Sequence, residues 1–372
     1  MMDLMKEAAP KRGLFVPGSS LFARPVSLGN KKLVIDYGAK SIKLRGGPHQ
    51  FDKLELLIRT REKIVAFVTE IDEAREWALA DGCIEDLDYI IFNLTSKGAK
   101  NIFGNPPSPL LMGVVNVTPD SFYDGGKHSD VKSAISRAHR LIAAGADIID
   151  IGGESSKPGA IPVTAKEEIE RVIPVIEEVV GFGVPVSVDT NKSAVMEAAI
   201  IAGASIVNDI TALSGDPRSI GLLKETGTPV ILMHMQGSPV NMQNEPYYEF
   251  APLDIFEYLR QRITICLEAG ISKSNLIVDP GIGFGKNLKH NLAILHRLSI
   301  FHGLGVPIAI GVSRKSLIAA LSEDEPSEER LPGSLAMAIW AYNQAVQILR
   351  VHDVAETKQA LEIYKAVVDD NF

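Results

Sequence analysis

From residue 110 onward the chain alternates short apolar runs with longer stretches in which apolar residues recur at helical spacing, roughly once every 30 to 40 residues. Such alternation is the mark of βα units around a parallel sheet. The runs predict strands at Leu111–Val117, Ile148–Gly152, Val184–Val188, Ser205–Val207, Val230–Met233, Leu276–Val278, Pro307–Gly311 and Ile348–Val351. Between and after them the helical period predicts helices at Val131–Ala144, Ala165–Val180, Asn191–Ala202, Pro217–Thr226, Leu253–Ala269, Leu288–His302, Gly333–Val346 and Val354–Val367. Eight strands close a (β/α)8 TIM barrel. An open doubly wound sheet is the competing arrangement, and it more often has fewer strands.

The upstream pattern is different. Lys32–Tyr37 and Ile64–Ile71 have strand composition, whereas Phe51–Thr60 and Asp72–Asp81 read as helices. The first 30 or so residues show little periodicity and predict a loosely attached start. Asn101–Pro109 carries Gly104, Pro106, Pro107 and Pro109 and cannot continue a helix or a central strand. The expected organisation is a small accessory α+β unit over residues 1–105 followed by the α/β barrel over 106–372.

Composition narrows the class. With 372 residues, 46% hydrophobic and 23% charged, the chain can bury a large core, which excludes a disordered or fibrous protein. A net charge of −8 disfavours nucleic acid as a partner. Only Cys83 and Cys266 are present, in no metal-ligand spacing, which predicts a reducing, cytoplasmic setting. The N-terminal residues lack the apolar stretch of a signal peptide, and no run is long enough to span a membrane.

In a barrel of this kind chemistry gathers at the C-terminal ends of the strands. There the sequence places Asn116, the Glu154–Gly159 segment with Ser156, Asp189, Asn208, His234, Asp279, the Ser313–Ser316 segment, and Arg350 with His352. Singly, the acids and amides read as helix caps, and the histidines as hydrogen-bonded core residues. Caps do not explain Arg314, Lys315, Arg350 and His352 on the same rim, because cations disfavour a helix N-terminus unless an anion is present. Phosphate suits them, since Arg350 and His352, two residues apart on a strand, share a face. Asp189, Asn208 and Asp279 suit a flat heterocycle rich in N–H groups. The Gly281–Asn287 segment is not a P-loop, because Pro280 replaces its first glycine and Asn287 its Ser or Thr. Trp77, Trp340 and Cys266 read as packing residues.

Taken in order, Met112–Phe122, Gly145–Ser155, Ser187–Thr190, Asn208–Ile210, Met233–Gly237, Asp279–Asn287, Ser313–Ser316 and Arg350–Asp353 strongly resemble the motifs of the dihydropteroate synthases, over roughly 260 residues from Leu111 to Asp369. The resemblance implies condensation of 4-aminobenzoate with 6-hydroxymethyl-7,8-dihydropterin diphosphate, releasing diphosphate and 7,8-dihydropteroate. It implies that Asp189, Asn208 and Asp279 hold the pterin edge with Lys315 beside the ring and Phe284 in the substrate-binding set. Arg350 and His352 hold the diphosphate with Ser156 nearby, and Lys315, Arg350 and His352 form the catalytic group. Asn116 contributes to a Mg2+ carried by the diphosphate. Phe122, Lys157, Pro158 and Ser316 complete the aminobenzoate pocket, on or beside loops Thr118–Ser129 and Glu154–Thr164 that close over substrate.

The family usually has Thr-Arg-Pro where this chain has Ser156-Lys157-Pro158, which keeps the hydroxyl and charge but loses the planar fork. Two rival readings are a methyltetrahydrofolate methyltransferase on the same barrel and a catalytically silent pterin-binding paralogue. The family is commonly dimeric, and Gly333–Val346, with Trp340, is the expected homodimer contact.

Overall fold

The computed structural model describes residues 4–26, 28–30, 41–45, 49–96, 109–117 and 127–369. The expected strand at 32–37, most of the proline-rich segment at 101–109, and Phe122 with most of its loop lie outside them.

The upstream unit contains strands β1 (Leu4–Lys6), β2 (Ser20–Val26), β3 (Gly29–Asn30), β4 (Ile42–Lys43), β5 (His49–Phe51), β6 (Lys53–Arg59) and β7 (Ile64–Glu70), then helices α1 (Ile71–Asp81) and α2 (Ile84–Thr95). Four strands form a sheet in the order β1-β7-β6-β2, and β3, β5 and β4 form a smaller one. The segment read as a helix at 51–60 is therefore mostly strand β6. Its Leu54, Leu57 and Ile58 fall at helical spacing because a central strand buried on both faces loses its polar alternation. Leu54, Leu56 and Ile58 pack under α1 and α2, while Leu57 joins Phe22, Ile64 and Ala66 in the core of the barrel. The start of the chain, expected to be loosely attached, supplies β1 and β2. Asp81 accepts backbone N–H bonds from Gly13, Leu14 and Phe15 at 2.9 to 3.0 Å and holds the intervening loop.

Downstream, β8 (Leu110–Asn116), β9 (Ile148–Gly152), β10 (Val186–Asp189), β11 (Ile206–Asp209), β12 (Val230–Met233), β13 (Leu276–Asp279), β14 (Ala309–Gly311) and β15 (Ile348–Val351) form an eight-stranded sheet. All pairings are parallel, and a bridge between Val278 and Ile308 joins the two end strands into a barrel. Around it lie α3 (Lys127–Ala143), α4 (Ala165–Val180), α5 (Ser193–Ile201), α6 (Ser219–Thr226), α7 (Ala251–Ala269), α8 (Leu288–His296), α9 (Ser316–Ala319), α10 (Leu331–Asn343) and α11 (Val354–Asp369). The single helix expected over 288–302 stops at His296 and continues as a 3-10 stretch, Leu298–Leu304, every residue of which is buried. The upstream unit covers it: Ser299 Oγ donates to the Pro25 carbonyl at 3.1 Å, and Asn93 Nδ2 to the Gly303 carbonyl at 2.9 Å. Among the described residues no helix is long and apolar enough to cross a membrane.

Inside the barrel Met112, Ile148, Ile206, Ile231, Ile277, Ala309 and Ile348, from seven of the eight strands, form an apolar cluster. Side chains alternate along a strand, so the residue two further on points the same way, one layer higher. Those residues are Val114, Asp150, Asn208, Met233, Asp279, Gly311 and Arg350. The polar groups of the mouth thus stand on a buried apolar floor.

Candidate functional site

Above this floor lies a recess of about 340 Å³ including its open mouth. Ser156, Asp189, Asn208, Asp279, Phe284, Lys315 and Arg350 line it together with backbone at Gly281 and Gly311. Six strands or the loops behind them supply these side chains.

Arg350 is the organising charge. Its Nε donates to Asp150 Oδ2 at 2.6 Å and its Nη2 to Asp189 Oδ2 at 2.8 Å. Asp150, fully buried, also accepts from Asn208 Nδ2 at 3.2 Å, so one carboxylate orients both the guanidinium and the amide. Burial opposes the charge on Arg350, but Asp150 and Asp189 outweigh it and hold the guanidinium more firmly protonated than usual. Burial pushes the Asp189 carboxyl up to about 7, with Arg350 pulling it down and Asp150 pushing it further up. Asp279 is likewise raised by burial, against the pull of the Gly281 N–H that donates to its Oδ1 at 2.6 Å. Burial pushes Lys315 down to about 8 while Asp279 opposes the shift, and its ammonium sits 4.5 Å from the centre of the Phe284 ring. That cation–π contact aligns the lysine along one wall.

His352 does not line the recess; it stands two residues beyond Arg350, with Nδ1 3.1 Å from Ser313 Oγ, which also accepts the His352 backbone N–H at 3.3 Å. An Oγ proton directed at Nδ1 would leave the imidazole with Nε2–H as its donor. Burial, reinforced by Arg350, Arg137 and Arg314, pushes its pKa down to about 3, so this ring is neutral. Arg314, expected among the anion-binding cations, instead forms a forked pair with Asp353 at 2.9 and 2.5 Å.

Asn116 closes β8 half-buried, Lys157 and Pro158 are exposed in the loop after β9, and Ser316 is exposed at the start of α9. That loop is anchored from below. Glu154 accepts the Val163 N–H at 2.8 Å and pairs with Lys192, also at 2.8 Å, which reaches the buried Glu168 at 2.5 Å.

The sixth loop, 280–287, packs backbone to backbone on the fifth. At Gly281, φ is +68°, and an added Cβ would lie 2.0 Å from the His234 carbonyl oxygen; at Gly285, φ is +59°, and it would lie 2.4 Å from that of Gln236. Lys286 is buried beneath the loop, donating to the carbonyls of Phe284 at 2.8 Å and His234 at 3.2 Å, with His234 Nδ1 at 3.0 Å. Burial drives Lys286 and His234 well below their ordinary pKa values. Asn287 caps α8 by accepting the His290 N–H at 2.9 Å, and His290 Nδ1 accepts the Asn287 N–H at 3.3 Å.

Two groups escaped the sequence reading. Asp150 sits inside a strand rather than at its end, and only its period-two relation to Ile148 marks it as facing the interior. Lys192 looks like a helix-start residue until its two partners are seen.

Comparison with known proteins matches this architecture. The pterin binding enzyme family pattern covers residues 112–352. The dihydropteroate synthase of Escherichia coli strain K12 is 48% identical over 261 residues, 70% of this chain and 92% of the relative. That of Bacillus subtilis strain 168 is 42% identical, covering 70% and 89%. The crystal structure of the Yersinia pestis dihydropteroate synthase with a sulfonamide drug complex superposes with a TM-score of 0.66 at 47% identity, covering 70% of this chain and 94% of that one. The Xanthomonas albilineans dihydropteroate synthase in complex with 7,8-dihydropteroate gives 0.64 at 42% identity, with the same coverages. With the pterin-binding pattern spanning its barrel and close to half its residues there shared with such relatives, this chain belongs to the dihydropteroate synthase family.

Proposed function

We propose that the barrel joins 6-hydroxymethyl-7,8-dihydropterin diphosphate to 4-aminobenzoate, forming 7,8-dihydropteroate and diphosphate. The observation that carries this reading is the convergence of Asp189, Asn208, Asp279, Lys315 and Arg350 on one recess above an apolar floor. The carboxylates and amide accept and donate along the pterin edge, and Lys315 lies along the ring. Arg350, steadied at Nε by Asp150, turns its outer edge to the phosphoryl oxygens, and His352 donates Nε2–H to them with Ser156 nearby.

The reaction then needs no protein nucleophile. The aniline nitrogen attacks the pterin methylene carbon, the carbon–oxygen bond to diphosphate breaks, and the nitrogen loses a proton. The protein's contribution is electrostatic: fixed donors stabilise the charge that develops on the leaving group. Magnesium, when bound, neutralises part of that charge. Asn116 is the residue that would hold it. Among the described residues no group of three His, Cys, Asp or Glu could ligate a metal, so the donor set suits an ion carried by substrate phosphates and water.

Lys157, Pro158, Ser316 and Phe122 are the residues assigned to aminobenzoate. A methyltransferase would have no use for the Arg350 and His352 pair. We further propose a homodimer through α10, whose outer stripe of Pro332, Ala336 and Trp340 is exposed and whose 13 residues include no charge. Both cysteines are buried and free, which suits the cytoplasm.

The test is direct. Purified protein should release diphosphate only when both substrates are present, with a sulfonamide competing against aminobenzoate. Absence of dihydropteroate with both substrates and magnesium supplied would defeat the reading.

A further inference from the structure

The family pattern begins at residue 112, so the unit formed by residues 4–96 lies outside the part of the chain that accounts for the chemistry. It nevertheless reaches a loop that supports the recess. Arg59 closes β6 at the tip of the β6–β7 hairpin, and its largely buried guanidinium meets three carboxylates around the start of α7. They are Glu249 at 3.2 Å, Glu257 at 3.4 Å, and Asp254. A cation beside a helix N-terminus is unfavourable alone, and three acids reverse the sign.

The division of Asp254 is informative. Its Oδ1 pairs with Arg59, while its Oδ2 accepts the Phe250 N–H at 3.0 Å, which caps a helix whose N-cap residue offers no side-chain bond of its own. Arg59 therefore fixes the residue that fixes the end of the fifth βα loop. That loop runs straight into the pocket wall. Tyr248, next to Glu249, donates from its hydroxyl to the Gly285 carbonyl at 2.8 Å, and Gln243 Nε2 donates to the Gly283 carbonyl at 2.7 Å. Gly281, Ile282 and Phe284 of the supported loop line the recess. Behind the contact, Phe22 of β2 packs edge-on against Phe256 of α7 with ring centres 5.4 Å apart, so the hairpin has a firm seat.

We propose that Arg59 is a positioning residue for the pterin side of the site: through Glu249 and Asp254 it sets the fifth loop, and through Tyr248 and Gln243 that loop sets the wall at 281–285. The upstream unit is on this view a brace for substrate binding as well as a cover for the barrel. The proposal rests on the synthase reading for its kinetic arm only.

In the full-length protein, Arg59→Met, Arg59→Lys and Glu249→Gln are compared with Arg75→Met, which breaks an exposed 3.0 Å pair with Asp88 elsewhere in the unit. Hydrogen exchange is followed over 236–250 and 281–287, and KM is measured for each substrate. Arg59→Met is expected to speed exchange in both segments and raise the KM for the pterin diphosphate, each about 3- to 10-fold, as coupling through a contiguous network allows. The KM for aminobenzoate should change less, Arg59→Lys should restore part of the loss, Glu249→Gln should act in the same direction more weakly, and Arg75→Met should do neither. Faster exchange confined to the hairpin and α7, with 281–287 and the pterin KM unchanged, overturns the proposal and leaves Arg59 as glue. If Arg59→Met does not fold, Glu249→Gln decides, since that side chain is half exposed. A wild-type protein that makes no dihydropteroate defeats the synthase reading, while exchange at 281–287 still decides the coupling.

Discussion

Replacing Asp150 by Asn should separate the orientation of Arg350 from its charge. Asp150 is fully buried and holds both Arg350 Nε at 2.6 Å and Asn208 Nδ2 at 3.2 Å through one oxygen, while Oδ1 has no hydrogen-bond partner among the described residues. Asn matches its shape, and its amide oxygen in the Oδ2 position still accepts both bonds, so the main loss is the charge opposite the guanidinium. Two unit charges about 4 Å apart at an effective dielectric of about 20 attract by about 4 kcal/mol. Arg350 retains Asp189 and is about a fifth exposed, so roughly half of that, about 2 kcal/mol, is the expected loss. Expressed in the transition state for diphosphate departure, about 2 kcal/mol is about a 30-fold fall in kcat/KM for the pterin substrate. Steady-state rates at saturating aminobenzoate would measure it, with thermal melts alongside. The aminobenzoate KM should stay within about twofold, because Asp150 touches only the pterin and phosphate side. A kcat/KM within about threefold of the parent would refute the view that Asp150 orients Arg350 for the reaction.

Five other outcomes are expected. With Asp189 near 7 and Lys315 near 8, kcat/KM for the pterin substrate should rise as the carboxylate forms and fall as the ammonium deprotonates; a profile flat between about pH 6 and 9 contradicts this. Because folded Asp189 keeps its proton to higher pH than the unfolded chain does, its contribution to stability is whole below about pH 4 and lost as pH rises through about 7, an effect for melts of the parent and Asp189→Asn to compare. Lys157→Arg should lower the aminobenzoate KM by restoring a planar fork, and an unchanged value removes Lys157 from that pocket. Deleting residues 1–105 should give insoluble protein, since the buried 3-10 stretch and Arg297 lose their cover; soluble, active barrel would show the upstream unit to be dispensable. Trp340→Glu should halve the mass in solution if α10 pairs two copies.

The barrel was legible because each βα unit announces itself locally. Ile148–Gly152, Val230–Met233 and Ile348–Val351 have the expected limits, and α4 runs from Ala165 to Val180 as its period predicts. The recess was legible for the same reason, since Asp189 and Asp279 end their strands and Asn208 and Arg350 are each one residue short of the end. What stayed hidden depends on partners distant in sequence. Strand β6 imitates a helix because both its faces are covered, and the break after His296 has no local cause other than the surface that β2 and α2 lay over it. Arg314 looked free to bind an anion because its partner, Asp353, lies 39 residues away.

The Glu55 carboxylate bears on how the chain comes off the ribosome. It is shared by Arg24, made shortly before it, and Arg297, made 242 residues after it. At about 5 to 20 residues per second, roughly 12 to 50 seconds separate the two syntheses. For most of that interval Phe22 lacks the Phe256 ring it packs against, and Leu57, Ile64 and Ala66 lack the later residues that complete the same core. The nascent segment therefore cannot finish folding in the order in which it is made, and a holding chaperone has a window in which to act.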